Sequence, residues 1–280
     1  MIDAHVHLWD PAEREYPWMG PEVGELARRY GLDDLRGALA SSGVTATVLV
    51  QATGSAEETT ALLATAGASD GLISGVVGWA DLQDSALPEH LAALRAGPHG
   101  ALLRGVRHQV EDEPDPAWLE RPAVLRGLRA VADAGLTFDV LVRPDQLASA
   151  ARALAATPGL RAVLDHGGKP PLQGDLDAWW HGVDALAALP GVACKLSGMG
   201  TLTGSQASWD AAAPWAAALL RRFGPERCIA GSDWPVCTLT AGHADALAFV
   251  RATVAGLPEA EQAAVLGGNA AAFYGVSGGA

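Results

Sequence analysis

His5 and His7 stand two residues apart in the opening IDAHVHL. In an extended strand such residues share a face, so their imidazoles reach one point together. Two nitrogens at one height make a grip for a divalent cation such as Zn, which binds histidine at about 2.0–2.1 Å. Two polar residues near a chain start can equally be hydrogen-bonded or exposed, with no ligand. Asp233, in AGSDWP, can bind a metal or take a proton from water. Its plainer role would be a cap or Asx turn, helped by Pro235. His166, in LDHGGKP, can ligate a metal or donate to a carbonyl oxygen, and Gly167 and Gly168 allow close backbone approach. It can also be a satisfied core histidine. Arg107, His108 and Lys195 put charge into otherwise apolar runs. Such charges need partners when buried. A polar or anionic substrate would supply them, as would ion pairs with Asp81 or Asp139.

These residues are remote in sequence, so the fold must gather them. Apolar, β-branched runs at 2–8, 45–51, 73–79, 103–108, 137–142, 161–166, 192–197 and 228–233 read as eight strands. Ala/Leu-rich stretches of helical period alternate with them, near 32–42, 56–69, 86–96, 120–134, 144–156, 176–188, 208–222 and 242–255, with a last helix over 258–273. The strands read as continuous apolar runs, which favours a parallel sheet covered by helices. Eight units in 280 residues match an α/β fold, the (β/α)8 TIM barrel, whose chemistry sits at the C-terminal ends of the strands. A doubly wound sheet would show a Gly-rich phosphate turn after its first strand; HLWDPAEREYPW has none. In a barrel, strand 8 lies beside strand 1, so Asp233 approaches His5 and His7. Arg107, His108, Lys195, Trp79 and Trp234 then fall at the same mouth and are expected to bind substrate. The segments 9–31 and 109–119 read as long loops over it, a common place for function. Trp9, Trp18 and Trp118 also fall there, where flat rings suit a sugar or lactone and simple packing is the plainer account.

Composition narrows the classes. Nineteen Lys and Arg against 32 Asp and Glu give a net charge of −13, which repels phosphate backbones and argues against nucleic acid. Three cysteines, with no CxxC, point away from a disulfide scaffold and towards a reducing cytoplasm. No run nears ~18 uninterrupted apolar residues, so no membrane span is expected, and the first residues do not read as a signal peptide. No linker breaks the pattern, so residues 1–280 read as one domain. A homo-oligomer is compatible with all of this.

IDAHVHLWDP, GVRHQVEDEPDPAWL, FDVLVRPDQL, LDHGGKPP, CKLSGM, GSDWPVC and GGNAAAFYG, in this order over almost the whole chain, resemble the amidohydrolase-related (amidohydrolase 2) family of the amidohydrolase superfamily, closest to its sugar-lactonase branch. The resemblance implies a barrel that opens a lactone such as an L-fucono- or L-rhamnono-lactone. It implies that Asp233 activates water and His166 assists it. It also implies one divalent metal, Zn by type, on His5, His7, His166 and Asp233. The family's strand-5 histidine is missing from TFDVLVR, and no carboxylated lysine ends strand 4. A two-metal site is therefore not expected, and metal-independent activity is an alternative. An anionic lactone, decarboxylation by a metal-dependent relative, and a non-catalytic binding barrel are the competing functions.

Overall fold

The computed structural model describes residues 1–171, 176–201 and 208–277. Eight parallel strands follow one another around the sheet in sequence order: β1 (Ile2–Val6), β2 (Ala46–Val50), β3 (Ile73–Gly78), β4 (Leu103–Gln109), β5 (Thr137–Leu141), β6 (Ala162–Leu164), β7 (Val192–Leu196) and β8 (Cys228–Ala230). The helices are α1 (Leu32–Leu39), α2 (Ala56–Gly67), α3 (Leu87–Ala96), α4 (Pro122–Asp133), α5 (Leu147–Ala155), α6 (Leu176–Ala187), α7 (Ser208–Phe223), α8 (His243–Val254), α9 (Glu259–Ala263) and α10 (Asn269–Tyr274). This is the expected (β/α)8 barrel.

The helix starts follow their sequences. The Ser55 hydroxyl accepts from Glu58 N at 3.1 Å and caps α2. Pro122 opens α4, where a missing N–H costs nothing. Along β2, Ala46, Val48 and Val50 point into the barrel, while Leu49 turns out to the helices. Each such aliphatic side chain, fully buried, stabilises the fold by roughly 1.5–3 kcal/mol. The barrel's base is closed by α10, whose Ala270 and Tyr274 pack with Ile2, Ala4 and Val163.

The sheet closes between β1 and β8 just beyond the strands. His7 N donates to Trp234 O at 2.7 Å, and Asp233 N donates to His5 O at 2.9 Å. Gly231 permits this approach, because a Cβ there would lie 2.8 Å from His5 Cβ. Asp3 holds the seam from outside: it accepts from Ser232 N (2.9 Å) and His5 N (3.2 Å) and pairs with His243 of α8 (2.9 Å).

Most elements are somewhat shorter than the sequence suggests, and two of the strands that end early bear on the site. Strands 6 and 8 were expected over 161–166 and 228–233 but stop at Leu164 and Ala230. The chain leaves the sheet because His166, Gly167, Gly168 and Lys169 all have positive φ, and so does Asp233 (φ 62°). The last expected helix divides into α9 and α10 around a π-helical turn at Ala264–Gly268. No helix among the described residues is long and apolar enough to cross a membrane.

Candidate active site

His5 and His7 reach the barrel interior through an irregularity. The β1–β2 register slips between Asp3 and Val6. Below the slip, Ile2 and Ala4 face inwards; above it, Val6 joins Leu49 in the outer layer and His5 and His7 turn in. Their Nε2 atoms lie 3.1 Å apart. Asp233 Oδ1 is 3.6 Å from the first and 3.5 Å from the second. The His166 ring centroid is 4.7 Å from that of His5, and its Nδ1 contacts Ser197 Oγ at 3.0 Å. All four side chains are buried.

The turns that end β6 and β8 explain how His166 and Asp233 get there. Both occupy left-handed backbone, which His and Asp tolerate better than most residues. Gly198 (φ 62°) lies against both. A Cβ at Gly198 would sit 2.5 Å from His166 Nδ1 and 3.1 Å from Asp233 Oδ2, so the close packing of acid and imidazole requires glycine here.

His7, Asp233, His166, Arg107 and Gly198 line a cavity of about 250 Å³, together with Trp18, Ala52, Gln109, Glu111, Leu141, Lys169, Thr201 and Val236. Arg107 is held rigidly: Nη1 pairs with Asp165 (3.1 Å), and Nη2 donates to Gln51 O (2.5 Å). Burial, reinforced by the charge of Lys195, holds the His5 pKa well below the usual histidine value. Burial likewise lowers that of His166. Burial would by itself raise the pKa of Asp233, but the attraction of His166 and the hydrogen bond with His7 outweigh it and hold Asp233 well below the usual carboxylate range. At neutral pH the cavity therefore presents an ionised carboxylate beside a neutral His166, with neutral His5 buried behind them. Such separation of neighbouring groups marks acid and base roles.

The other expected substrate contacts lie elsewhere. Lys195 is fully buried beneath the cavity, 2.5 Å from Asp139, 3.0 Å from Asp165 and 3.0 Å from His5 Nδ1. It is an internal ion-pair partner, out of reach of a ligand in the cavity. His108 follows Arg107 on β4 and so points to the opposite side. It bonds Glu113 at 2.8 Å and stacks on Trp118 at 4.3 Å, anchoring the 109–119 segment. Trp79 is turned outward, in a cleft between α2 and α3 with Leu63, Leu87 and Leu94. Trp234 packs edge-on to Tyr30, 5.5 Å between centroids, and supports the 9–31 loop from beneath. Gln109 and Glu111 were not anticipated as cavity residues, although the two-residue period from Arg107 places Gln109 on the same face of β4.

The donor set fits a divalent cation. His5, His7 and Asp233 each offer a buried donor atom, all within 4.8 Å of one another, and His5, Asp165 and His166 form a second such group. His7 Nδ1 donates to Val50 O at 2.8 Å, which fixes the ring with Nε2 turned towards Asp233. His5 Nε2 faces the same point, 3.1 Å from His7 Nε2 and 3.6 Å from Asp233 Oδ1, while its Nδ1 lies against Lys195 Nζ (3.0 Å) and Asp165 Oδ1 (3.5 Å).

Similarity to known proteins follows the same lines. A protein from Burkholderia ambifaria named L-fucono-1,5-lactonase is 36% identical over 98% of this chain and 94% of its own length. One of that name from Burkholderia multivorans is 37% identical, over 98% and 95%. The crystal structure of an amidohydrolase from Burkholderia multivorans with bound Zn superposes with a TM-score of 0.90 at 37% identity, covering 99% of both chains. The family model described as Amidohydrolase matches residues 2–276, from the first strand through the helix that closes the barrel's base. By both its architecture and its sequence, the chain belongs to the amidohydrolase family.

Proposed function

We propose that this protein hydrolyses the ring ester of a neutral sugar lactone, of the L-fucono- or L-rhamnono-lactone kind. The observation that carries the reading is the gathering of the buried side chains His5, His7, His166 and Asp233 at one small cavity. At about 250 Å³ it is smaller than the roughly 300–1,000 Å³ typical of drug-sized ligands, which suits a single monosaccharide ring.

The reaction needs a nucleophilic water, a stabilised oxyanion and a protonated leaving oxygen. Asp233 takes the proton as water oxygen adds to the lactone carbonyl carbon. With Ser197 Oγ–H donating to Nδ1, His166 carries its own proton on Nε2 and offers it to the developing oxyanion. Arg107, clamped by Asp165 and Gln51, adds positive potential at the same wall. The ring C–O bond then breaks, and Asp233 returns its proton to the departing alkoxide. The product hydroxy acid ionises, so each turnover at neutral pH releases one proton to solution.

One divalent ion, Zn by the nitrogen-rich donor set, would be held by His5, His7 and Asp233, with His166 beside it. When bound it supplies Lewis-acid polarisation of the carbonyl and a more acidic water. The competing decarboxylase reading expects a histidine at the end of β5, where Leu141 lines the cavity instead. The three cysteines are unpaired and buried, which fits a reducing cytoplasm. The test is proton release from a panel of aldonolactones, run as isolated, after chelation and with Zn restored, beside Asp233→Asn. Turnover of sugar lactones that is lost in the folded variant supports the reading. A panel without turnover, or an Asp233→Asn enzyme of wild-type rate, overturns it.

A further inference from the structure

Part of the cavity wall is charged yet neutral in sum. Glu111 projects from the short 3-10 turn after β4, and Lys169 ends the left-handed turn after β6. Their carboxylate and ammonium are in direct contact, both part-exposed to the cavity. Each is presented from a fixed support. Arg143 Nη1 donates to the carbonyl oxygens of Glu111 and Glu113, and Gln146 Nε2 donates to Val110 O at 2.8 Å. Trp18, its Nε1 tied to Ala52 O at 2.7 Å, adds an apolar wall to the same cavity.

The charges decide which ligand this wall suits. Arg107 and Lys169 are the cations among the described residues of the cavity lining, and each is already engaged, by Asp165 with Gln51 and by Glu111. The stretches 172–175 (LQGD) and 202–207 (LTGSQA) contain no Lys or Arg. A ring bearing carboxylates would thus meet no free cation and two anions, Glu111 and Asp233. A ring bearing adjacent hydroxyls meets complementary partners. One hydroxyl can donate to the carboxylate while its neighbour accepts from the ammonium, and both bonds are charge-assisted.

We infer that Glu111 and Lys169 form a subsite that reads vicinal hydroxyls, making this chain selective for neutral polyhydroxylated lactones over anionic ones. The inference rests on the lactonase reading and specifies its substrate class. The subsite binds the substrate end remote from the scissile ester, so its loss raises KM more than it lowers kcat.

The experiment compares kcat and KM on an aldonolactone, an unsubstituted lactone of equal ring size and a dicarboxylate lactone. The proteins are wild type, Glu111→Gln, Lys169→Met and the exchanged pair Glu111→Lys with Lys169→Glu. Each single variant is expected to lose about 10- to 100-fold in kcat/KM on the aldonolactone, mostly in KM, as removal of a charge-assisted hydrogen bond implies. The loss on the unsubstituted lactone should be at least tenfold smaller, and Glu111→Gln, which releases Lys169, should gain relative rate on the dicarboxylate. Equal losses on all three lactones overturn the inference. So does full recovery in the exchanged pair, because that variant restores an ion pair but not the order of donor and acceptor. A wild type that opens none of the lactones overturns the proposed function, and the subsite falls with it; an active wild type without the variant pattern overturns the subsite alone.

Discussion

Replacing Lys195 by methionine tests whether the cavity floor is held by balanced charge. Lys195, Arg107, Asp139 and Asp165 are all buried, and their formal charges cancel. Lys195 Nζ contacts Asp139 at 2.5 Å, Asp165 at 3.0 Å and His5 Nδ1 at 3.0 Å. Without it, Asp139 loses its cation and Asp165 keeps only Arg107, and breaking a buried pair in this way costs about 3–5 kcal/mol. The cost should depend on pH. Burial already lifts the Asp139 pKa to about 6 against the pull of Lys195, and removing Lys195 lifts it further. A folded-state pKa raised above the unfolded one means stability is fully present below the unfolded value and is lost as pH rises through the folded value. Wild type loses its Asp139 contribution by about pH 6, whereas the variant continues to lose roughly 1.4 kcal/mol per unit beyond it. The gap between them should therefore widen by roughly 2–3 kcal/mol from pH 6 to pH 8. Equilibrium denaturation at both pH values measures it. Adding Asp139→Asn restores the charge balance and should recover at least about half of the loss. A gap under about 1 kcal/mol at pH 8, a gap independent of pH, or a double variant no better than the single would refute the argument.

Other sites give shorter tests. Gly198→Ala would place a Cβ 2.5 Å from His166 Nδ1 at φ 62°. It should cost about 1–3 kcal/mol in denaturant titrations and more than tenfold in kcat. Glu58 is buried, and burial pushes its pKa up to about 6 although its Oε2 accepts from Ala52 N and Thr53 N. Stability it supports below pH ~4.5 should fade as pH rises through 6, by roughly 2 kcal/mol in all; the difference between wild type and Glu58→Gln across that window should show this slope. His7→Ala should weaken Zn binding at least about tenfold, read by calorimetric titration without substrate.

Much of this molecule is legible in its sequence, because parallel barrel strands are apolar throughout and helices punctuate them regularly. Convergence of His5, His7, His166 and Asp233 follows from placing them at strand ends. What escapes the reading is orientation. Arg107 and His108 are neighbours on one strand and cannot both face inwards; the interior position went to the residue that Asp165 could neutralise. The slip between Asp3 and Val6 has no local marker, since the buried Asp3 shows its use only beside Ser232 and His243, more than two hundred residues away. Lys195 was open to a ligand or to an ion pair with Asp139; it pairs with Asp139 on β5 and also with Asp165, just beyond β6, which the sequence did not single out as a partner. Trp79 turns outward because its backbone N–H and C=O are both bound to Thr59 of α2.

Tyr274 carries a consequence for how the enzyme is made. Its hydroxyl enters the barrel from below and bonds Asp139 at 2.9 Å, and Asp139 in turn holds Lys195 against His5. A nascent chain that has synthesised all eight strands but not yet residue 274 has every side chain of the reaction and an unfinished foundation beneath them. Activity should thus arrive late in biosynthesis, with the closing helix. A ribosome stalled after β8, or a protease trimming α10, would yield a barrel-like product that has lost the anchor beneath His5.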